Sequence, residues 1–279
     1  MSTEKALITG ATSGIGLHLA REFASHGHPL VLVAPVGGEL RDVCRQIQGE
    51  FGVEVMAIAA DLREPAAPER LFQQVGETVD ILVNNAGHGQ KGAFWDYPMD
   101  EDISMLRLNV EAVVRMTKVF VAHMVRRGHG RVLNVASVAG FVPGPGMATY
   151  HATKAFVLSL SESLATELED TAVTLTALCP GPTDTDFFIK ADALASGNVN
   201  KAPVMAPQDV AREGYDGLMS GDRVVVPGAA NKAMVFSRRV LPESVQAKWQ
   251  EQMVADVPPD KQRYHRGEKE AEAEARDAS

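Results

Sequence analysis

Residues 137–154 read SVAGFVPGPGMATYHATK and place a Ser hydroxyl, a Tyr phenol and a Lys ammonium in a fixed order. Tyr150 and Lys154 stand four residues apart, so a helix through this stretch brings both side chains to one face. An ammonium beside a phenol favours the phenolate, and we therefore expect the pKa of Tyr150 to lie below its ordinary value of about 10. Such a Tyr exchanges a proton near neutral pH. A chance pair on a helix surface is the alternative interpretation, so the surrounding sequence must decide.

Apolar, strand-like runs alternate with helical patterns on both sides of this stretch. The predicted strands cover residues 5–9, 30–34, 53–59, 81–83, 131–135, 173–178 and 223–226. Helical patterns fill most of the intervals, with a loop expected at 35–38 and one long helix at 99–127. Uninterrupted alternation predicts a single α/β domain with a doubly wound, Rossmann-like parallel sheet. Ser137 is then expected at the carboxyl end of a strand, where ligands of such sheets bind.

The last fifty residues differ from the rest in composition. Residues 231–253 have a helical pattern interrupted near Pro242, and the stretch after Pro259 is charged and rich in Ala. We therefore divide the chain into a catalytic domain at 1–230 and a helical extension at 231–279, whose polar end is expected to be disordered.

Composition and charge exclude several classes of function. The 279 residues carry a formal net charge of -9 and no basic stripe, which argues against nucleic-acid binding. Cys44 and Cys179 are distant in sequence and lack metal-like spacing, and no group of His residues suggests a metal site. The sequence begins without a signal-peptide pattern and contains no run long enough to span a membrane. We expect a soluble, cytoplasmic protein.

A glycine cluster, TGATSGIG at residues 9–16, lies between the first strand and the first helix. Glycines at such a turn let the backbone approach a pyrophosphate, and the N-terminus of the helix attracts the anion. The spacing is G-x-x-x-G-x-G, which differs from the G-x-G-x-x-G of longer dehydrogenases. The strand before the cluster and the helix after it supply the context that a dinucleotide site requires.

Taken together, the motifs resemble those of the short-chain dehydrogenase/reductase family over roughly residues 5–230. These motifs are TGATSGIG at 9–16, NNAG at 84–87, Ser137, Y-x-x-x-K at 150–154 and P-G-x-x-x-T at 180–185. Their order and spacing make the resemblance specific, although each motif alone is modest.

The resemblance implies four catalytic residues. Tyr150 matches the general acid/base, and Lys154 matches the residue that lowers its pKa and holds the nicotinamide ribose. Ser137 matches the hydroxyl that polarises the substrate carbonyl. Asn109 matches a residue that supports a water chain to the Lys; as an Asn inside a helix it is otherwise unfavourable, and a purely structural hydrogen bond is the alternative.

The resemblance also implies the cofactor-binding residues. They comprise the glycine loop, the end of the second strand, the turns after the third and fourth strands, the Tyr/Lys pair and the loop after the sixth strand. They are Gly10, Thr12, Ser13, Gly14, Ile15, Gly16, Ala34, Pro35, Asp61, Leu62, Asn85, Ala86, Gly87, Tyr150, Lys154, Pro180, Gly181, Thr183 and Thr185. Asp61 is equally explained as a cap of a helix or turn.

The residues at the positions that usually distinguish NAD from NADP match neither of the usual patterns. NAD enzymes generally place an Asp at the end of the second strand, where it repels a 2′-phosphate, and this position is Ala34. NADP enzymes usually place an Arg at the next position or before the last two glycines of the loop, and these positions are Pro35 and Ser13. With the repulsive carboxylate missing, we expect NADP to be preferred and NAD to be accepted.

The predicted activity is interconversion of a small-molecule ketone or aldehyde and an alcohol by hydride transfer. The apolar residues Phe94, Trp95, Phe141, Val142, Met147, Phe187 and Phe188 flank the catalytic stretch and suggest an apolar substrate pocket. Imine reduction or epimerisation at the same site, or a dinucleotide-binding sensor without turnover, are the alternatives. The helices at 99–127 and 149–169 resemble those through which family members pair, so we expect a homo-oligomer.

Overall fold

The computed structural model describes residues 4–237 and 241–277. Within them, all strands join one parallel sheet of seven strands in the order β3-β2-β1-β4-β5-β6-β7. The strands are β1 (Ala6–Thr9), β2 (Leu30–Ala34), β3 (Val55–Ala59), β4 (Ile81–Asn84), β5 (Gly130–Val135), β6 (Val173–Leu178) and β7 (Val224–Val225). The strand order reverses between β1 and β4, so the predicted doubly wound, Rossmann-like sheet is confirmed.

Helices cover both faces of the sheet. In chain order they are α1 (Gly14–Ser25), α2 (Gly37–Phe51), α3 (Ala67–Val75), α4 (Met99–Leu106), α5 (Val113–Arg127), α6 (Ala148–Glu167), α7 (Phe187–Lys190), α8 (Gly197–Asn200), α9 (Pro207–Ser220), α10 (Ala229–Ser237), α11 (Glu243–Val254) and α12 (Glu268–Asp277). A π-helical segment, Arg107–Ala112, joins α4 to α5, so the predicted helix at 99–127 runs through without a gap.

The core forms two layers because successive strand residues point to opposite faces of the sheet. Ala6 and Ile8 of β1 pack with α1, α2 and α9, whereas Leu7 packs with α3 and α5. Every residue of β1, β2 and β4 is buried, which explains why these strands are unbroken apolar runs instead of alternating patterns.

The predicted loop at 35–38 differs from the structure. Gly37 and Gly38 belong to the first turn of α2 and not to a loop, because the helix already begins after Val36. A helix does start again near Pro242, as predicted, because Pro242 stands at the N-cap position of α11. Val240, which the sequence pattern assigned to this helix, lies outside the described residues.

The polar C-terminal end has a defined fold, contrary to the predicted disorder. Residues 268–277 form α12, which packs against α9 through the ion pairs Arg276–Asp209 and Arg212–Asp277. Its composition could not reveal these partners because they lie more than sixty residues away in sequence. The division into a domain at 1–230 and an extension at 231–279 stays a prediction.

Among the described residues, the longest helices are too polar or too short to cross a bilayer. The same residues contain no group of His, Cys, Asp or Glu side chains arranged to hold a metal ion.

Candidate active site

Ser137, Tyr150 and Lys154 come together at the carboxyl end of β5. Ser137 lies two residues after the end of this strand, and its hydroxyl donates to the Pro180 carbonyl at 3.3 Å. Tyr150 and Lys154 lie one turn apart on α6, and the Lys154 Nζ atom is 5.9 Å from the centroid of the Tyr150 ring. Ser137 and Tyr150 line the same cavity, and the Ser137 side chain favours the phenolate form of Tyr150.

The expected lowering of the Tyr150 pKa is wrong for this structure. Burial raises the pKa of Tyr150 to about 12, and the hydrogen bond with Ser137 opposes this only in part. Burial likewise lowers the pKa of Lys154 to about 8. The Lys154 ammonium donates to the Val135 carbonyl at 2.8 Å instead of to the phenol. A charge pair alone would lower the pKa of Tyr150, but the cost of desolvating both groups outweighs that effect.

Asn109 lies behind this site, in the π-helical segment. Its Nδ2 atom donates to the His88 carbonyl at 2.8 Å and to Thr153 Oγ1 at 3.1 Å, and its Oδ1 atom accepts from the His88 N–H at 3.1 Å. A π-helical turn is rare and is frequent at functional sites. These bonds tie Asn109 to α6 and to the turn after β4, next to Lys154, without bringing it to the cavity wall.

The glycine loop is closed onto the turn after β4 by a set of short hydrogen bonds. Asn85 Nδ2 donates to the Thr9 and Gly10 carbonyls at 2.9 and 3.2 Å. Thr9 Oγ1 accepts from the backbone N–H groups of Asn85 and Ala86 at 2.9 and 3.0 Å. The two motifs therefore form one rigid edge of the cavity.

The N-terminus of α1 is suited to a pyrophosphate. Gly14 has a φ of +55°, and a Cβ atom there would lie 3.1 Å from the Thr185 side chain across the cavity. Ser13, at the N-cap of α1, makes no side-chain hydrogen bond to the first turn within the described chain. Backbone donors of this turn thus remain available to an anion, so the residues present fit a dinucleotide.

One cavity of about 890 Å³ connects these groups. Every residue predicted to bind the cofactor lines it, from Ala34 and Pro35 at the end of β2 to Thr183 and Thr185 after β6. Ser137, Tyr150 and Lys154 line the same cavity, whereas Asn109 does not.

Asp61, after β3, lines the cavity together with a partner that the sequence analysis missed. Its carboxylate accepts from the Arg63 backbone N–H at 2.9 Å and from the Arg63 guanidinium at 2.6 Å. The side-chain hydrogen bond from Arg63 holds the pKa of Asp61 below its ordinary value. The spacing of two residues is the local signal that could have identified this pair.

The apolar end of the cavity differs in part from the prediction. Met147, Phe187 and Phe188 line it, but Phe94, Trp95, Phe141 and Val142 do not. Phe94 and Trp95 are 65% and 83% exposed, because the segment that carries them lies at the protein surface.

Residues of the C-terminal helices, which the sequence analysis did not assign to the pocket, line the rest of this end of the cavity. Met234 of α10 and Trp249, Gln250 and Met253 of α11 line the cavity. The i, i+4 spacing of Trp249 and Met253 is a signal that sequence reasoning could have used.

Two His residues edge the cavity. His151 is buried, and its Nδ1 atom lies 2.9 Å from the Val142 carbonyl oxygen. The His88 Nε2 atom lies 3.4 Å from Ser104 Oγ. Burial lowers the pKa of both imidazoles, so both are uncharged at neutral pH.

Comparisons with known proteins identify the family. The model of the short chain dehydrogenase family matches residues 4–194, which is more than half of the chain. The chain belongs to the short-chain dehydrogenase family. Oxidoreductase UcpA of Escherichia coli (strain K12) is 36% identical over 185 residues, which cover 65% of this chain and 70% of that protein.

Solved structures of this family resemble the chain along most of its length. A short-chain dehydrogenase from Sphingobium yanoikuyae in complex with NADPH has a TM-score of 0.77 at 34% identity, covering 85% of this chain and 93% of that one. A family member from Burkholderia phymatum in complex with NAD has a TM-score of 0.77 at 26% identity, covering 92% and 98%. The protein is accordingly a nicotinamide-dependent oxidoreductase.

Proposed function

We propose that this short-chain dehydrogenase interconverts an apolar ketone or aldehyde and the corresponding alcohol. The observation that carries the proposal is the place of Ser137 and Tyr150 on the wall of one cavity. They lie between the glycine loop and an apolar end that contains Met147 and Phe187. A carbonyl held against the two hydroxyl groups would direct its apolar substituents into that end.

In the proposed reaction, Tyr150 passes a proton to or from the substrate oxygen, and Ser137 orients that oxygen by a hydrogen bond. The bound nicotinamide supplies or accepts the hydride. Lys154 holds the nicotinamide ribose, and Asn109 supports the turn after β4, which lies under the adenosine ribose. The tie from Asn109 to His88 and Thr153 supports this positioning role.

The other cavity residues have proposed roles in cofactor binding. The N-terminus of α1, with Ser13 and Gly14, receives the pyrophosphate. Asp61 and Leu62 contact the adenine, and Asn85, Ala86 and Gly87 form the floor under the adenosine ribose. The loop that contains Pro180, Gly181, Thr183 and Thr185 contacts the nicotinamide amide. Their common place on the cavity wall supports these assignments.

The pKa values of the proton-transfer groups predict different pH profiles for reduction and for oxidation. With a pKa of about 12, Tyr150 is a neutral phenol at neutral pH, the form that donates a proton to a carbonyl. Lys154, with a pKa of about 8, keeps its charge below that pH. Between about pH 6 and about pH 8, we expect kcat/KM for reduction to stay level and kcat/KM for oxidation to rise, because oxidation needs the scarce phenolate. An oxidation profile that falls over this interval would contradict the acid/base assignment.

We further propose that NADP is preferred and that NAD is also accepted. Ala34, buried at the end of β2, carries no charge to repel a 2′-phosphate. Arg63 lines the cavity, and the Arg41 guanidinium lies beside Gly37, in the first turn of α2. The solved relatives contain NADPH in one case and NAD in the other, which supports a dinucleotide without favouring either form.

A single carboxylate should change this preference. Ala34→Asp is expected to shift the ratio of kcat/KM values toward NAD by about tenfold or more, because the carboxylate repels the phosphate and accepts from ribose hydroxyls. Ala34→Asn has nearly the same shape without the charge and is the matched control. Pro35→Arg should shift the ratio toward NADP. A strong preference of the unmodified protein for NAD would contradict the proposal.

Activity with a panel of compounds tests the proposal against its alternatives. Oxidation of NADPH and NADH is followed by absorbance with linear and bulky ketones, with imines and without substrate. Turnover of bulky ketones supports the proposal, whereas turnover of imines alone supports the second enzymatic alternative. Dinucleotide binding without turnover of any compound supports the alternative that the protein is a dinucleotide-binding sensor.

Homo-oligomer formation and a cytoplasmic location stay predictions. Leu106 and Phe156 lie on the helices expected to pair and are 41% and 42% exposed in the single chain. Exposed apolar residues on these faces are consistent with pairing, and the mass in solution is the measurement that decides.

A further inference from the structure

A buried carboxylate lies within the loop proposed to contact the nicotinamide. Asp184 has no exposed surface, and its neighbours Thr183 and Thr185 line the cavity. A charge in such a position is costly unless donors satisfy it, so its partners must be accounted for.

All the donors that the structure shows for Asp184 come from the C-terminal end of the described chain. The Tyr264 hydroxyl donates to Oδ1 at 2.6 Å, and the Gly267 backbone N–H donates to the same atom at 2.8 Å. The backbone N–H groups of Lys269 and Glu270 donate to Oδ2 at 2.9 and 3.4 Å. The Arg266 guanidinium also donates to Oδ1 at 3.5 Å. Lys269 and Glu270 lie in the first turn of α12, whose N–H groups have no partner inside the helix, and Gly267 directly precedes that turn. Asp184 therefore caps a helix that follows it by more than eighty residues.

Glu270 extends the contact to the other side of the cofactor site. Its Oε1 atom lies 2.9 Å from Nε2 of His18, a buried residue of α1. Its Oε2 atom accepts from Arg266, which also donates to Asp186 at 3.0 Å. The start of α12 thus contacts both α1, which follows the glycine loop, and the loop at 180–186 on the opposite side of the cavity.

The ionisation of Asp184 agrees with this arrangement. Burial pushes its pKa up, but the hydrogen bonds from Tyr264 and from the backbone N–H groups of α12 bring it below its ordinary value. The carboxylate consequently stays charged at neutral pH, and its hydrogen bonds to these donors are charge-assisted.

We propose that residues 264–270 position the dinucleotide site by holding the loop at 180–186 through Asp184. The proposal rests on the proposed function, since it assigns that loop a contact to the dinucleotide. Asp184 and Tyr264 are positioning residues in this account and do not touch the reacting atoms. Without its donors, the buried carboxylate would be unpaired, the loop would move, and dinucleotide binding would have to order it again.

Two variants and one matched control test the proposal. Tyr264→Phe removes the hydroxyl and leaves a ring of the same shape beside Phe188, 6.5 Å away between centroids. Asp184→Asn removes the charge with little change in volume. Glu272→Ala changes α12 outside residues 264–270 and removes a carboxylate that pairs with Lys269. Each variant is prepared as the full chain.

The measurements are the Kd of NADPH by fluorescence titration and hydrogen exchange at residues 181–190 of the ligand-free protein. We expect NADPH to bind at least about fivefold more weakly to Asp184→Asn, because hydrogen bonds to a charged group are lost. The loss of NADPH affinity should be smaller for Tyr264→Phe. Exchange at 181–190 should be faster in both variants. Glu272→Ala should match the unmodified protein in both measurements.

The outcomes separate this proposal from the proposed function. If the unmodified protein binds NADPH and Tyr264→Phe binds it equally, with unchanged exchange at 181–190, the positioning role is wrong. If the unmodified protein binds no dinucleotide, the proposed function fails instead, and exchange at 181–190 still tests whether α12 holds the loop. Should Asp184→Asn fail to fold, Tyr264→Phe carries the decision.

Discussion

Tyr150→Phe is expected to lower turnover at least about 100-fold, the usual contribution of a general acid/base step. The substitution removes only the hydroxyl that faces Ser137. The ring keeps its packing against Phe187, whose centroid lies 5.2 Å away, so the cavity wall is preserved. Dinucleotide affinity should therefore change little.

Steady-state rates and NADPH titrations of the same preparation measure the two properties separately. Tyr97→Phe is the matched control, because Tyr97 does not line the main cavity, and it should retain full turnover. If Tyr150→Phe keeps more than about a tenth of the turnover, the proton transfer is carried by another group.

Lys154→Met is expected to lower both turnover and dinucleotide affinity, in each case by about tenfold or more. The Nζ atom is buried, and it donates to the Val135 carbonyl at 2.8 Å beside Tyr150. Met fills a similar volume without the charge or the donors, so the change in binding reflects the loss of hydrogen bonds to a charged group.

The comparison requires the same two measurements as for Tyr150→Phe. Lys118→Met, at an exposed position of α5, is the control for replacing a Lys by Met and should be unchanged in both. An unaltered NADPH affinity in Lys154→Met would remove the ribose-holding part of its role and leave only its part in proton transfer.

Local patterns were sufficient to predict the sheet. Strand β6, Val173–Leu178, was predicted to the residue, because a buried parallel strand is an apolar run with clear ends. The motifs at the ends of β1, β4 and β6 could also be placed at one edge, since the carboxyl ends of parallel strands meet there. In the structure these motifs line one cavity, as that rule predicts.

Features that depend on distant partners could not be predicted in this way. The pKa of Tyr150 is governed by burial, which requires the packing of several elements to be known. Phe94 and Trp95 were assigned to a pocket by proximity in sequence, but the chain directs them to the surface. The first turn of α12 donates to Asp184, and nothing in the charged, Ala-rich sequence of α12 indicates that partner.

Transfer of deuterium from the cofactor to the product tests whether the protein catalyses direct hydride transfer. The unmodified protein is incubated with NADPH carrying deuterium at C4 of the nicotinamide and with a ketone that the panel has identified, and the alcohol is analysed by mass spectrometry. The account predicts one deuterium in each alcohol molecule, bound to the former carbonyl carbon, from one of the two C4 positions. An alcohol without deuterium from either position would contradict direct hydride transfer. Binding of NADPH without any product would contradict the proposed function.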